Sequence, residues 1–262
     1  MNTLMNQIKE VVLQASKLLM SRDFETTIKQ KKEDLVTTTD VNIQSFLNTE
    51  LRNLLQDSVV YGEENTQNSI GKYTWVVDPI DGTANFTRGI PNYAISVALL
   101  IEGEIVIGVV YSPQTNEFYY AQKNLGAFLN GESIHVSSKS YSDSLFCTAM
   151  SLYKKELSTQ CFDIIKEVYS ECSDIRRFGS CALELCYLAS GRIDLYFEIR
   201  VFPWDFAAGV LIISEAGGFF GTVGKKKIKY NKAIPLIAAN NKQSYMKLKK
   251  IVDKNLIEVS YE

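Results

Sequence analysis

Histidine is nearly absent: the chain of 262 residues has one, His135. It falls on an expected strand beside Ser137 and Ser138, far from any motif, and reads as a surface residue. Without a second imidazole, a Ser-His-Asp triad or a histidine-rich metal centre has little support. No Gly-x-Ser-x-Gly or Gly-x-x-x-x-Gly-Lys sequence occurs either. Cysteine is sparse and odd in number. Cys147, Cys161, Cys172, Cys181 and Cys186 contain no Cys-x-x-Cys pair, which favours neither a disulfide framework nor a zinc site and leaves reduced, mostly packed thiols. Long apolar runs are missing: nothing approaches the roughly 20 residues of a membrane span, and Lys9, Glu10 and Lys17 break any secretory segment at the start. The expectation is a cytoplasmic protein. An excess of one charge is missing too. A net charge of −2 gives no general attraction for nucleic acid or an anionic membrane. Lys225, Lys226, Lys227, Lys229 and Lys232 surround a glycine turn and read as a solvated hairpin, since aromatic interleaving is absent. Lys29, Lys31 and Lys32 form a second, shorter basic run.

What is present is an ordinary globular balance, 46% apolar and 22% charged, long enough for one large or two modest domains. The chemistry must then rest on carboxylates, hydroxyls and metal. The stretch that answers to this is Trp75-Val76-Val77-Asp78-Pro79-Ile80-Asp81-Gly82-Thr83-Ala84-Asn85-Phe86. An apolar strand, Trp75 to Val77, ends in two carboxylates three residues apart. Pro79 fixes the backbone after the first and Gly82 lets it turn after the second, so both acids can face one volume from a small loop. Asp-Pro-x-Asp-Gly is also what ordinary exposed turns use. Two anions held together call for a cation, and hard oxygen ligands select Mg²⁺ or a similar ion.

Around this stretch, Leu4, Ile8, Val11, Val12, Ala15, Leu18 and Leu19 predict an amphipathic helix. Val41, Ile43, Phe46, Leu47, Leu51, Leu54 and Leu55 predict a second, capped by Thr39 or Asp40. Val59 to Tyr61 is a short strand leading into Gly62-Glu63-Glu64, and residues 65 to 73 are polar and exposed. Tyr93 to Ile101, Glu104 to Tyr111 and Glu117 to Gln122 form an antiparallel meander, with Asn130-Gly131 turning into a returning strand, Ile134 to Val136. The pattern then changes to alternating helix and strand, which places a subdomain boundary near Tyr141 and divides the chain into 1–140 and 141–262. Phe162, Ile165, Val168 and Tyr169 suggest a helix and Ile175 to Phe178 a strand. Gly179-Ser180 opens a further helix, and Ile193 to Phe197 is a buried strand ending at Glu198. Trp204-Asp205 begins the helix Phe206 to Ala216, where Asp205 is either a cap or a ligand.

Three pieces in order, Gly62-Glu63-Glu64, the twelve residues from Trp75, and Trp204-Asp205-Phe206-Ala207-Ala208-Gly209, closely resemble the signature of the inositol monophosphatase family. The resemblance runs from Asp34 to about Gly218. It implies an α/β fold, the layered αβαβα sandwich of the inositol monophosphatase and fructose-1,6-bisphosphatase type. It also implies two or three Mg²⁺ ions held by Glu63, Asp78, the carbonyl of Ile80, Asp81 and Asp205. Asp40, Thr83 and Glu63 would be the catalytic residues, Thr83 with Asp40 behind it orienting the attacking water. Backbone N–H groups of Gly82 and Thr83 would hold the phosphate, Ser180, Cys181 and Ala182 would line a polyol, and Glu198 would take a substrate hydroxyl. Arg200 departs from the small residue expected there. It is either surface charge, as Arg176 and Arg177 can be, or a partner for a second phosphate, which would favour fructose 1,6-bisphosphate or NADP over inositol 1-phosphate. The partner expected is thus a small phosphate ester, with no nucleic acid and no membrane, in a lithium-sensitive homodimer. A catalytically silent regulator or scaffold on the same fold would be expected to lose carboxylates, and all four candidates are present.

Overall fold

The computed structural model describes residues 3–19, 25–28, 35–64, 70–150, 155–225 and 227–256. Lys29, Lys31, Lys32, Lys226 and residues 65 to 69, read above as polar segments, lie outside the described residues. In chain order the elements are α1 (Thr3–Leu18), β1 (Thr26–Ile28), β2 (Leu35–Thr37), α2 (Thr38–Leu54), β3 (Val59–Gly62), β4 (Tyr73–Asp81) and α3 (Thr83–Thr87). There follow β5 (Ala94–Ile101), β6 (Glu104–Ser112), β7 (Glu117–Gln122), β8 (Ala127–Leu129), β9 (Glu132–Ser133), β10 (Leu145–Ala149), α4 (Ser158–Tyr169) and β11 (Asp174–Arg176). The chain closes with α5 (Cys181–Ala189), β12 (Leu195–Val201), α6 (Pro203–Glu215), β13 (Phe219–Gly221), β14 (Ile234–Ala239) and α7 (Lys242–Leu256).

Strands β3 to β9 form a seven-stranded sheet in sequence order, antiparallel except for the parallel β3–β4 pair. The second sheet has five strands in the order β11-β10-β12-β14-β13, parallel through its first three and antiparallel beyond. The central strands β4 and β5 are almost continuously buried because both faces of their sheet are covered. Trp75 and Val77 face one core with Ile8 and Val12 of α1 and Leu47 of α2, while Val76 and Ala98 face another with α5 and α6. Helix α6 is buried on every side, Phe206 to Ile213 without interruption, as a helix between two sheets must be. Outside the second sheet, Ile164 and Val168 of α4 and Leu248 and Val252 of α7 pack on Phe197 and Ile237. The layers are therefore α1/α2, seven-stranded sheet, α5/α6, five-stranded sheet, α4/α7. This is the αβαβα sandwich that the sequence resemblance implies. The first sheet ends at Ser133 and the second begins at Leu145, with Tyr141 between them and the middle helices packed on both. Among the described residues no helix is long and apolar enough to cross a membrane.

Local details depart from the sequence expectations. The strand expected over Trp75 to Val77 is nine residues long and runs through both aspartates. The returning strand after Asn130-Gly131 is Glu132–Ser133; Ile134 to Val136 continue as irregular chain, with Val136 N–H bonded to the Ala216 carbonyl at the end of α6. The cap of α2 is Thr37, because Thr38 and Thr39 already have helical backbone. Glu198 lies inside β12 instead of ending it.

Candidate metal centre

On a regular strand, residues three apart point to opposite faces. Between Asp78 and Asp81 the pairing with β5 slips: Asp78 stands opposite Ser96 and Asp81 opposite Ala94, so three steps on β4 match two on β5. This is a bulge of one residue across Pro79-Ile80, where Pro79 has no N–H to donate to the ladder. The bulge brings both carboxylates to one side. Asp78 is held by the N–H of Ile80, 2.9 Å from its Oδ1. Asp81 accepts from Ser180 Oγ and, at 2.7 Å, from the Ala182 N–H, both on Oδ2. Gly82 turns the chain with φ of +97°, and a Cβ there would lie 3.0 Å from the Asn92 carbonyl and 3.2 Å from that of Gly179.

Two further aspartates arrive from helix starts, by the same device. Asp40 is the third residue of α2 and accepts from the Thr37 N–H at 2.7 Å on Oδ2, closing a capping box. Its Oδ1 is left for the Thr83 hydroxyl, 3.2 Å away, which also lies 3.0 Å from the Ile80 carbonyl. Asp205 is the third residue of α6 and accepts from the Phe202 N–H at 2.8 Å. Being a cap and being aimed into the site are thus compatible for both residues. Oxygens of Asp78, Asp81 and Asp205 all lie within 4.8 Å of one another. Glu63 follows the end of β3, its N–H bonded to the Val77 carbonyl at 3.2 Å, and its carboxylate repels those of Asp78 and Asp205.

Burial pushes the Asp78 carboxyl well above the usual carboxylate range, and Glu63, Asp81, Asp205 and Asp40 push it further. Asp205 is raised by burial and then by Asp81 and Glu63. Asp81 is raised by burial to about 6, moderated by the bonds from Ser180 and Ala182. Crowded carboxylates of one sign, with a backbone carbonyl beside them and oxygen as the only donor atom, fit a hard divalent cation such as Mg²⁺.

The centre lies in a cleft of about 820 Å³ whose other wall is β12 and the turn before α5. Glu198, Arg200 and Phe202 line it at alternate positions, as period-two geometry requires. Burial raises the Glu198 carboxyl to about 8, helped by Glu184, while the Tyr196 hydroxyl donates to it at 2.7 Å. The Arg200 guanidinium stands 4.6 Å over the Phe202 ring, and Phe202 stacks on Trp204. Ser180 and Cys181 also line the cleft, but both are buried: the serine hydroxyl bonds Asp81, and the Cys181 sulfur lies 3.1 Å from the Tyr196 oxygen. Arg88 and Arg177 are exposed at the rim. His135 is exposed and outside the cleft. Sequence reasoning passed over Glu184, Tyr196 and Phe202. Glu184 had a signal: it is the one charged residue in the otherwise apolar helix Cys181–Ala189, a pattern that marks a buried carboxylate needing partners.

The model of the inositol monophosphatase family matches residues 2–256. The chain belongs to the inositol monophosphatase family. It is 41% identical over 194 residues to Inositol monophosphatase 2 of Solanum lycopersicum, covering 71% of this chain and 73% of that one. It is 37% identical over 194 residues to the Nus factor SuhB of Vibrio cholerae, covering 73% of each. Among solved structures, an IMPase of Thermotoga maritima superposes with a TM-score of 0.87 at 32% identity, over 98% of this chain and 99% of that one. An IMPase/NADP phosphatase complexed with Mg²⁺ and phosphate gives 0.82 at 26% identity, over 95% and 92%.

Proposed function

We propose that the protein is a Mg²⁺-dependent phosphomonoesterase acting on inositol 1-phosphate or a related sugar or polyol phosphate. The observation that carries this is the convergence of Asp78, Asp81 and Asp205 oxygens within 4.8 Å of one another, beside the Thr83–Asp40 pair. Glu63, Asp78, the Ile80 carbonyl, Asp81 and Asp205 would hold two or three ions. When bound, these supply Lewis-acid chemistry: they lower the pKa of water and neutralise phosphate oxygens. Thr83 Oγ1 sits between the Ile80 carbonyl and Asp40 Oδ1, so it can accept from a water while giving its own proton to Asp40. The N–H groups of Gly82 and Thr83 begin the short helix α3 and offer donors to a phosphate. Glu198, half-buried and raised, suits a hydroxyl of the alcohol; Ser180 and Cys181 shape the floor below it. The same proposal includes the division at 140/141, a homodimer, lithium sensitivity, a cytoplasmic location, and a small phosphate ester as partner in place of nucleic acid or membrane.

Two observations favour other readings. Arg200 in the cleft supports a second anionic group on the substrate, as in fructose 1,6-bisphosphate or NADP. The relatives named Nus factor SuhB support a regulatory protein that keeps the fold. Phosphate release with and without Mg²⁺ separates them, using inositol 1-phosphate, fructose 1,6-bisphosphate, NADP and adenosine 3′,5′-bisphosphate. Mg²⁺-dependent turnover of a monophosphate well above the rest supports the first reading, and preference for a bisphosphate or NADP the second. Folded protein that binds Mg²⁺ and turns over none supports the regulatory one.

A further inference from the structure

Glu184 is fully buried, in the first turn of α5, and it is not among the candidate ligands. Its Oε1 accepts two backbone donors, the N–H groups of Phe178 at 2.7 Å and Gly179 at 2.8 Å. Its Oε2 is buried with no backbone donor, and the Cys147 thiol is the side chain that bonds the carboxyl. Desolvating a carboxylate to hold two N–H groups of a turn is expensive. The turn that Glu184 grips is held from the opposite side as well. Asn85 Nδ2 donates to the Phe178 carbonyl at 2.8 Å, and Asn92 Nδ2 to the same oxygen at 3.3 Å. Gly179, at φ of +84°, has no room for a side chain on that side: a Cβ would lie 3.1 Å from Asn85 Nδ2. What the turn delivers is the pair of donors on Asp81 Oδ2, the Ser180 hydroxyl and the Ala182 N–H.

We infer that Glu184 is a positioning residue: by clamping the Phe178–Ser180 turn it fixes the two donors that set the orientation of the Asp81 carboxylate in the cleft. Asp81 arises from the bulged end of β4, a backbone that by itself leaves its side chain to rotate. The donors that stop that rotation come from the middle helical layer, so the geometry of the centre depends on the register of α5 against β4. Glu184 supplies that register by holding two N–H groups with one oxygen. Burial raises the carboxyl to about 7, and Asp81 repels it as well. It is held in place despite that repulsion.

The inference rests on Asp81 being a metal ligand, and its test has one arm that needs no metal. In metal-free protein, amide hydrogen exchange is followed residue by residue for wild type and Glu184→Asp, which keeps the charge but is one methylene too short to reach both donors. Exchange is expected to accelerate at Phe178 and Gly179 and also at Ala182, whose N–H is bound to Asp81. Acceleration at Phe178 and Gly179 with Ala182 unchanged would make Glu184 a local cap and overturn the inference. The second arm is Mg²⁺ binding by calorimetry for wild type, Glu184→Asp, Ser180→Ala and the double variant. Each single change is expected to weaken binding about tenfold, as losses behind a metal ligand do. The double variant should be little worse than either single one, because both act through Asp81. Additive losses would mean a general loosening of the fold and overturn it. Glu184→Gln retains an accepting oxygen of the same reach and is expected to bind Mg²⁺ nearly as wild type; a loss as large as that of Glu184→Asp would also overturn it. A wild-type chain that bound no Mg²⁺ would sink the metal reading and leave the exchange arm to decide this one.

Discussion

The two walls of the cleft treat buried carboxylates differently. On the β4 wall, Asp78 is raised by burial and then by four further carboxylates, against which stands the Ile80 N–H on its Oδ1. On the β12 wall, Glu198 is raised by burial and by Glu184, but the Tyr196 hydroxyl bonds it and Arg177 offsets part of the charge. The first arrangement favours a multivalent cation or, without one, a proton. The second is already partly satisfied and can meet neutral hydroxyls. The difference supports the proposed division of labour, cation on one side and alcohol on the other.

The sharpest way to break that comparison is to remove charge from the first wall. Asp205→Asn is expected to cut Mg²⁺-dependent phosphate release by more than about a hundredfold, since a lost ligand removes several kcal/mol of transition-state stabilisation. The amide oxygen can still accept from the Phe202 N–H, so circular dichroism should be unchanged. Full activity in this variant would sink the assignment. Asp78→Asn should show the other side of the same effect: without Mg²⁺ its thermal midpoint rises above wild type, because four repulsions are relieved at a buried site. A midpoint that fell would mean that the carboxylates are not crowded in solution. Thr83→Ala comes next, with kcat reduced about a hundredfold and KM little changed if the hydroxyl handles a proton. A change confined to KM would reduce Thr83 to a binding contact.

Much of this site was legible in the sequence, for a physical reason: ligands cluster where strands end and helices begin, and Asp, Gly and Pro mark those points. Asp78, Asp81 and Asp205 could be read that way. The bulge could not, because a nine-residue strand containing Pro79 looks like a strand that stops there. Thr37 was missed as the cap because three threonines in a row, Thr37 to Thr39, compete for the position. Strands β10 and β14 were not read, since their place in the second sheet is set by partners that lie far away in sequence, such as Leu195 opposite both Phe146 and Ala239. The layer order came from family likeness; periodicity alone showed only that the first two helices each carry an apolar face.

Smaller effects sharpen the second wall. Arg200→Ala is expected to lower kcat/KM for a bisphosphate relative to a monophosphate by about tenfold, the loss of one charge-assisted contact. Equal changes for both substrates would return Arg200 to a packing role against Phe202.

The smallest effect concerns Glu198 in the metal-free protein. Its carboxyl titrates at about 8 when folded, against the ordinary 4.5. Between those values the folded chain holds a proton that the unfolded chain has released, so stability falls as pH rises through that window. Glu198→Gln does not titrate and loses this slope. Its thermal midpoint should draw ahead of wild type steadily from pH 5 to pH 8.5. Because Glu198 is only half-buried, solvent screens part of the interaction, and the gap should stay within about a few degrees. Midpoints that ran parallel across the range would show that Glu198 is as solvated as an ordinary surface carboxylate, and the contrast between the two walls would reduce to the metal side alone.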